Sequence, residues 1–410
     1  MIPLLARSAC ARTGLSLNLA RTLPARVAAT RLSELDRNNK PGPSQRRGYR
    51  MDATRRAFST SRRACTPSPT PSTSSTVSMT TTTTPVAADA APLAPPAPAP
   101  ESWVDRVLPA WAAPAKPYLY LLRLDKPTGS ILLYWPGAWS ITMACTYLAQ
   151  PITTCFWYLG LFAVGAVVMR GAGCIINDMW DAKMDRKVER TKTRPLAAGE
   201  ITHTGALAFL STQMALGLGV LTQLNTYSIL LGAASLPLVF IYPFMKRVTY
   251  YPQVVLGLCF EWGALLGWAA VAGAVNWAVC APLYIGSAIY CVAYDTIYAH
   301  QDKKDDVTAG VKSTALAWGN SSKPIIGTLY ATFVGCLTIA GHAMGAGPLY
   351  YAISVMGGAA HLAWQVITVN LDNGKDCWAK FVSNGYVTGP IIWAGMFADY
   401  LYQVILPLLG

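Results

Sequence analysis

The sequence has few charged residues for its length. Only 13% of its 410 residues are Asp, Glu, Lys or Arg, whereas a soluble domain carries about 25%. Hydrophobic residues make up 53% of the chain. A protein of this composition is expected to lie mostly in lipid, which argues against a soluble enzyme, a nucleic-acid-binding protein and a disulfide scaffold.

The ten cysteines include no Cys-x-x-Cys pair. Most of them stand inside apolar runs, where cysteine behaves as a small buried apolar residue. The sequence therefore predicts neither a zinc site nor a disulfide framework.

The basic residues are concentrated at the N-terminus. Residues 1–65 hold 14 basic and three acidic residues, so most of the net charge of +13 belongs to this segment. It lacks an apolar run long enough for a secretory signal, and its Arg-rich, acid-poor composition is typical of a mitochondrial transit peptide. The stretch 55–59 resembles a matrix-processing site, which predicts a transit peptide over residues 1–58. A basic arm that binds anions is the alternative.

The next segment, residues 59–115, is rich in Ser, Thr, Pro and Ala. Such a composition cannot bury a core, and it predicts a disordered linker. Residues 116–410 then form the predicted membrane domain.

Apolar runs of about 20 residues, the length of a helix that crosses a bilayer, follow one another through residues 116–410. The predicted fold is therefore all-α, a multispanning membrane bundle with about nine transmembrane helices. The predicted spans are 128–149, 153–176, 202–222, 226–245, 251–272, 276–298, 324–343, 347–370 and 385–408.

The connections between these spans alternate in charge. Those after the second, fourth, sixth and eighth spans carry Lys and Arg, and the others carry none. This bias places the basic connections on one face, which is the inner face of a membrane. In a mitochondrion the prediction is the inner membrane, with the basic loops facing the matrix.

Carboxylates mark two span ends on this basic face. At the end of the second span they are Asp178, Asp181 and Asp185, on one stripe of a helix. At the end of the sixth they are Asp295, Asp302 and Asp306, again on one face. Carboxylates at the end of a membrane helix are costly and usually functional. Oxygen ligands without a Cys or His pattern suit Mg²⁺, particularly where phosphates complete its shell.

Basic residues follow each acidic stretch. They are Lys187, Arg190, Arg194 and Lys312. Carboxylates for a metal beside cations for an anion predict a site for a metal-bound diphosphate, because arginine matches phosphate oxygens in fork geometry. Ordinary solvated loop charges are the alternative, and the recurrence of the pattern at two span ends disfavours it.

Three segments carry a family resemblance. They are Asn177-Asp178-x-x-Asp181-x-x-x-Asp185, Arg190-Thr191-x-x-Arg194-Pro195-Leu196, and Tyr294-Asp295-Thr296 with Asp302, Asp306 and Lys312-Ser313-Thr314-Ala315. These motifs are similar to those of the UbiA-type intramembrane prenyltransferases, and the resemblance covers roughly residues 118–385.

Further segments resemble the branch of this family that serves coenzyme Q synthesis in mitochondria. They are Arg123-Leu124-Asp125-Lys126-Pro127-x-Gly129, Leu133-x-Trp135-Pro136, Tyr242-Pro243-x-x-Lys246-Arg247, Trp262-Gly263-Ala264-Leu265-x-Gly267-Trp268 and Cys377-Trp378-x-Lys380-Phe381-x-x-Asn384. The chain departs from the family at Glu261, where Asn is more frequent, and His300 and Gln301 are interpreted as spacers.

The resemblance implies a reaction. A polyprenyl group would pass from polyprenyl diphosphate to the ring carbon ortho to the hydroxyl of 4-hydroxybenzoate, with Mg²⁺ as cofactor, in an early membrane step of ubiquinone biosynthesis. It also implies association with the lipid bilayer and with other quinone-biosynthesis enzymes, and no nucleic-acid partner.

The same resemblance implies roles for particular residues. The metal ligands would be Asn177, Asp178, Asp181, Asp185, Asp295, Asp302 and Asp306. The catalytic residues among them would be Asp178, Asp181, Asp302 and Asp306. The diphosphate-binding residues would be Lys187, Arg190, Arg194, Tyr242, Lys246 and Lys312. Arg123 would bind the carboxylate of the aromatic acceptor, with a plain positive-inside anchor as its alternative role.

Other classes of membrane protein fit the sequence less well. A transporter with inward-facing acids is disfavoured because the acids lie at span ends, whereas transporter sites usually lie near the midplane. The Asp-rich pattern of the CDP-alcohol phosphotransferases is absent from the sequence. A sibling prenyltransferase with haem or another aromatic compound as acceptor is the nearest alternative.

Overall fold

Helices make up the described part of the chain. The computed structural model describes residues 102–186, 191–303, 306–307, 310 and 312–409, apart from the side chains of Lys246 and Leu409. The predicted transit peptide and residues 59–101 of the predicted linker lie outside the described residues. Within those described there is no strand, and the all-α prediction is confirmed.

The α-helices are numbered here in chain order. They are α1 (Trp103–Val107), α2 (Lys116–Leu121), α3 (Thr128–Tyr147), α4 (Ile152–Asp185), α5 (Pro195–Ala198), α6 (His203–Leu221), α7 (Thr226–Ala233), α8 (Leu236–Val248), α9 (Pro252–Phe260), α10 (Gly263–Ala272), α11 (Trp277–Ala299), α12 (Thr314–Trp318), α13 (Ser322–Met344), α14 (Gly358–Thr368), α15 (Gly374–Ser383), α16 (Gly389–Tyr400) and α17 (Leu406–Leu409). Short 3₁₀-helices occupy Ala110–Ala115 and Gly319–Ser321, and π-helical stretches occupy Tyr350–Gly357, Asn384–Thr388 and Leu401–Ile405.

Seven stretches of the described chain are helical, long and apolar enough to cross a membrane. They are Ile152–Asp185, His203–Leu221, Thr226–Met245, Pro252–Ala272, Trp277–Ala299, Thr314–Met344 and Gly374–Leu408. The two other predicted spans are helical too, over Thr128–Tyr147 and over 350–368. The protein is therefore a multispanning helical membrane protein.

Helical structure begins before the predicted start of the membrane domain. Residues Trp103–Val107 and Ala110–Ala115, which the sequence assigns to the linker, are helical. Ser102 and Asp105 form a reciprocal capping box at the first of these helices, and such a box satisfies two of the amides that a helix leaves free at its start. The Tyr120 hydroxyl also donates to Asp105, which ties this segment to α2.

The first and last membrane helices meet, which closes the bundle. The indole of Trp135 on α3 donates to the carbonyl of Gly385 at 2.7 Å, and that of Trp139 donates to Gly389 at 3.2 Å. The hydroxyl of Tyr400 donates to the carbonyl of Gln150. Residues about 250 positions apart in sequence are joined in this way, so the first and last spans pack side by side.

Helices α3 and α10 approach each other backbone to backbone. A Cβ atom at Gly267 would lie 2.7 Å from the carbonyl oxygen of Gly137, and one at Gly263 would lie 2.9 Å from the amide nitrogen of Gly137. Small residues permit such close contact between membrane helices. The indole side chains of Trp139 and Trp268 are buried in the same core.

Gly267→Ala is expected to destabilise the protein by about 1–3 kcal/mol, because its methyl group would meet backbone atoms that cannot move independently. Gly219→Ala on α6 is the matched control, since a Cβ there meets nothing within 4 Å. That control should be neutral or slightly stabilising, as alanine favours a helix over glycine. Unfolding of both variants in detergent checks this, and equal stabilities would contradict the close contact.

Candidate active site

The first acidic stretch lies on the last turns of α4, which is 34 residues long. Asp178 is 1% exposed and Asp185 is buried on the same face, whereas Asn177 and Asp181 are half-buried. A helix of this length is longer than the hydrocarbon thickness of about 30 Å. The helix therefore carries its carboxylates past the apolar part of the span to one end of the bundle.

Arg123 binds Asp178. One of its terminal nitrogens, Nη2, donates to both carboxylate oxygens of Asp178 at 2.8 and 2.7 Å, and the other donates to the carbonyl of Tyr120 at 2.9 Å. Arg123 adopts a positive φ of 59°, a backbone conformation that is costly for a residue other than glycine. The short loop between α2 and α3 therefore holds this guanidinium against the acidic helix end.

Arg194 also contacts the acidic face of α4. Its Nη1 atom lies 3.1 Å from Oδ1 of Asp178 and 2.9 Å from Oδ2 of Asp185. Arg194 is at the N-terminal boundary of the short helix α5, which Pro195 begins. Two carboxylates and two guanidinium groups thus form one compact ionic cluster, comprising Asp178, Asp185, Arg123 and Arg194.

The C-terminal end of α8 connects the acidic end of α4 to the segment that follows the second acidic stretch. Arg247 donates to Asp181 at 3.2 Å. The adjacent residue, Val248, accepts a hydrogen bond at 3.3 Å from the ammonium of Lys312, which also lies 5.4 Å from the ring centroid of Tyr250. The ends of α4 and α8 and the chain around residue 312 therefore lie at the same end of the bundle.

The second acidic stretch begins on α11, where Asp295 is half-buried, and continues past its end to Asp302 and Asp306, which are also half-buried. Between them, His300 is 7% exposed, and neither ring nitrogen has a hydrogen-bond partner among the described residues. Burial, followed by the charge of Lys303, lowers the pKa of His300 to about 4. This residue, interpreted from sequence as a spacer, is thus a buried, uncharged imidazole beside the acids.

The residue types fit a magnesium site. Carboxylate and amide oxygens are the ligands that Mg²⁺ prefers, usually completed by water and phosphate oxygens. Within residues 102–186, 191–303 and 312–409, no three His, Cys, Asp or Glu side chains are gathered around one point that could hold an ion. Instead, the buried acids of α4 are paired with arginines: Arg123 binds Asp178, and Arg194 bridges Asp178 and Asp185.

The predicted diphosphate-binding residues are only partly within the described structure. Arg194 and Lys312 stand at the acidic end of the bundle, and Tyr242 lies half-buried on α8. Lys187 and Arg190 lie outside the described residues, as does the side chain of Lys246.

Arg170 on α4 was missed by the sequence reasoning. Its guanidinium carbon lies 5.4 Å from the ring centroid of Phe260, and its buried Nε atom has no hydrogen-bond partner in the described part of the chain. It is packed against Gly129, where a Cβ would lie 2.5 Å from that nitrogen. An arginine inside an apolar span is itself the signal that could have revealed it, because such residues usually mark a functional site.

Glu261 is another polar group buried between the helices. It is 1% exposed at the junction of α9 and α10, and the hydroxyl of Tyr294 donates to its Oε1 atom at 3.4 Å. Its Oε2 atom is buried without a partner among the residues described. The structure thus places the chain's departure from the family pattern in the interior of the bundle.

A bundle of membrane helices with carboxylates and guanidinium groups paired at one end carries the ionisable residues that mark a functional site in a membrane protein, and its arginines suit an anionic ligand. The model of the UbiA prenyltransferase family matches residues 133–388, more than half of the chain. The chain belongs to the UbiA prenyltransferase family.

Two curated relatives show high similarity. Over 292 residues the chain is 52% identical to the mitochondrial 4-hydroxybenzoate polyprenyltransferase of Drosophila pseudoobscura pseudoobscura. The match covers 71% of this chain and 72% of that protein. It is 51% identical over 294 residues to the protein of the same name from Rattus norvegicus, covering 71% of this chain and 76% of that one.

Solved structures share the fold. The apo structure of a UbiA homolog from Aeropyrum pernix K1 matches with a TM-score of 0.54 at 23% identity, covering 66% of this chain and 97% of that one. A UbiA homolog from Archaeoglobus fulgidus bound to DMAPP and Mg²⁺ matches with a TM-score of 0.50 at 17% identity. The match covers 69% of this chain and 98% of that one.

Proposed function

We propose that this protein transfers a polyprenyl group from polyprenyl diphosphate to the ring carbon ortho to the hydroxyl of 4-hydroxybenzoate, an early membrane step of ubiquinone biosynthesis. The observation that carries the proposal is the ionic cluster of Asp178, Asp185, Arg123 and Arg194 at the end of a membrane bundle. The relatives named above act on 4-hydroxybenzoate according to their names, and they suggest the acceptor.

The carboxylates of both acidic stretches would hold Mg²⁺. The proposed ligands are Asn177, Asp178, Asp181, Asp185, Asp295, Asp302 and Asp306. Bound there, the ion would stabilise the negative charge that grows on the leaving diphosphate. The structure of a UbiA homolog from Archaeoglobus fulgidus bound to DMAPP and Mg²⁺ supports Mg²⁺ as the metal.

The guanidinium and ammonium groups at this end would bind the diphosphate. Arg194 bridges Asp178 and Asp185 through a single nitrogen. Its other donors have no side-chain partner among the described residues and could bind phosphate oxygens, which arginine binds in fork geometry. A diphosphate that took Arg194 away would free Asp185 for the metal, whereas Asp178 would still be bound by Arg123. Lys187, Arg190, Tyr242, Lys246 and Lys312 are proposed to contact the same anion.

As the bond between the allylic carbon and the diphosphate oxygen breaks, these cations act most strongly, because the charge on the leaving oxygen is largest in the transition state. Burial between the helices would keep water from the allylic cation. Carboxylates of the second stretch, Asp302 and Asp306, are proposed to assist, one of them by taking the ring proton.

Two arginines are candidates for the acceptor's carboxylate. Arg123, the predicted one, already binds Asp178, so an acceptor would have to share it. Arg170 needs no such exchange, because no carboxylate lies within ion-pair distance of it in the described part of the chain, and it sits over an aromatic ring.

Arg170→Gln is expected to raise the KM for 4-hydroxybenzoate by about ten- to a hundredfold, because a charge-assisted hydrogen bond to the acceptor is lost. The KM for the diphosphate should remain nearly unchanged. Arg123→Gln should raise both constants, because Asp178 also loses one of its two arginine partners. Steady-state kinetics with each substrate varied in turn separates the two. An acceptor KM that responds only to Arg123→Gln would identify Arg123 as the ligand and Arg170 as structural.

The proposed location is the mitochondrial inner membrane, with the ionic cluster facing the matrix. The relatives are named mitochondrial, and the basic connections of the sequence support the orientation. Association with other quinone-biosynthesis enzymes is proposed on the same basis.

An assay of membranes that carry this protein tests the proposed function. With 4-hydroxybenzoate and a long polyprenyl diphosphate, prenylated product should form in Mg²⁺ and fall by about a hundredfold or more in excess chelator, because metal binding supplies several kcal/mol of charge stabilisation. Readdition of Mg²⁺ should restore the rate. Formation of product at the same rate in chelator would contradict the metal site, and transfer to another aromatic compound alone would contradict the acceptor.

A further inference from the structure

A groove of about 440 Å³ runs between α13 and α14 on the outer surface of the bundle. Its lining is almost entirely apolar and includes Gly327, Ala331, Leu362, Ala363 and Val366. Ala331 and Ala363 are exposed, so the groove opens outward, where a membrane protein faces lipid. None of its lining residues belongs to the candidate active site.

A lysine lies at one end of this groove. Lys323, one turn before Gly327 on α13, donates to the carbonyl oxygens of Ile367 at 3.0 Å and of Val369 at 3.2 Å. An ammonium has three donors, so one remains for another acceptor. No carboxylate of a described residue lies within ion-pair distance of Lys323.

Two features place this end of the groove near the membrane surface. Trp364 is 46% exposed on the outer face of α14, and Ile367 is 73% exposed one turn later. Tryptophan at the end of a membrane helix typically lies at the level of the lipid headgroups. The ammonium of Lys380 lies 3.8 Å from the ring centroid of Trp364, which adds a second positive charge at the same level.

Lys323 and Lys380 differ in their acidic neighbours, because the Lys380 ammonium already lies 3.8 Å from a carboxylate oxygen of Asp376. Lys323 could simply cap the carbonyl groups at the end of α14, a common role of lysine. Capping does not account for the apolar groove that leads to it, whereas an amphiphile with an anionic head accounts for both.

We propose that this groove binds an anionic phospholipid, with one acyl chain between α13 and α14 and the phosphate at Lys323. Basic groups between transmembrane helices at the inner membrane face suit such headgroups. The acyl chain would replace lipid contacts along a groove whose small residues leave room for it. The site is separate from the ionic cluster on α4, and it does not depend on the acceptor that the enzyme uses.

The test uses the full-length protein in detergent and native mass spectrometry to count bound lipid during titration with dioleoylphosphatidylglycerol or dioleoylphosphatidylcholine. The wild-type protein should bind the anionic lipid about fivefold more tightly, which corresponds to about 1 kcal/mol for one lysine. Lys323→Gln should remove this preference, and Lys323→Arg should retain it. Lys375→Gln is the matched control, since Lys375 is an exposed lysine at the same end. It should keep the preference.

A second variant tests the groove itself. Ala331→Leu should weaken the binding of both lipids, because its side chain would occupy the space for the acyl chain. Prenyl transfer by Lys323→Gln in detergent should remain at the wild-type rate, which also shows that the variant is folded.

Five outcomes would overturn the proposal. They are equal affinity of the wild-type protein for the two lipids, retention of the preference in Lys323→Gln, loss of the preference in Lys375→Gln as well, unchanged lipid binding in Ala331→Leu, and displacement of the bound lipid by geranylgeranyl diphosphate. The last would assign the groove to the substrate's tail. If the wild-type protein is a dimer, and Ala331→Leu dissociates the dimer without changing lipid binding, the groove instead binds a second copy of the chain.

Discussion

Asp178→Asn is expected to lower the rate of prenyl transfer by about 10³-fold, comparable to the loss of a strong electrostatic contact in a transition state. Asp178 is the most deeply buried acid of the first stretch and binds both Arg123 and Arg194. Asparagine keeps an oxygen that can accept from these arginines, but it removes the negative charge that a metal ion requires. The rate is measured with purified protein, Mg²⁺ and both substrates at saturation.

Glu200→Gln provides the control for Asp178→Asn, because Glu200 is an exposed acid close to Arg194 in sequence. It should retain the wild-type rate. Alanine at position 178 is less informative, because it would leave two partly buried arginines without this partner, a change that costs about 3–5 kcal/mol when the pair is buried. A folded Asp178→Asn protein with full activity would remove this residue from the site.

Asp302→Asn is expected to cause a loss of similar size, about 10³-fold, if the second acidic stretch supplies charge to the same metal-bound diphosphate. Asp372→Asn is a suitable control, since Asp372 is an exposed acid in the loop before α15. The melting temperatures of the two variants should match that of the wild type, because Asp302 is only half-buried. A loss of activity in both variants would indicate a general charge effect at this end of the bundle.

Much of the fold could be predicted because the bilayer imposes a length on its helices. The runs 202–222 and 276–298 correspond closely to His203–Leu221 and Trp277–Ala299. The run 251–272 did not reveal that the span is broken at Glu261, between α9 and α10. A break of this kind depends on what packs against the backbone, and apolar length alone does not report it.

The candidate site was predictable in its residue types but not in its pairings. The helical stripe of Asp178, Asp181 and Asp185 is visible from spacing alone. The partners of two of these acids, Arg123 and Arg247, stand 55 and 66 residues away from them, and no periodicity connects them. Only the packing of α2, α4 and α8 brings these groups together.

Two polar groups inside the bundle show a second limit of prediction from the sequence. Arg170 stands within an apolar run, where its charge is the only sign of it in the sequence. Glu261 is visible in the sequence only as a difference from the expected family pattern, and the structure shows it to be buried against Tyr294. The chemistry of each follows from its neighbours on other helices, which the sequence does not specify.

The proposed function requires both acidic stretches to act on one metal-bound diphosphate. The most direct test is the rate of the double variant Asp178→Asn/Asp302→Asn beside the two single variants. Residues that act as one unit are strongly non-additive, so the double variant should be no more than a few-fold slower than either single one. If the losses instead multiply, to about 10⁶-fold for two losses of 10³, or if either single variant keeps the wild-type rate, the two stretches do not share a site.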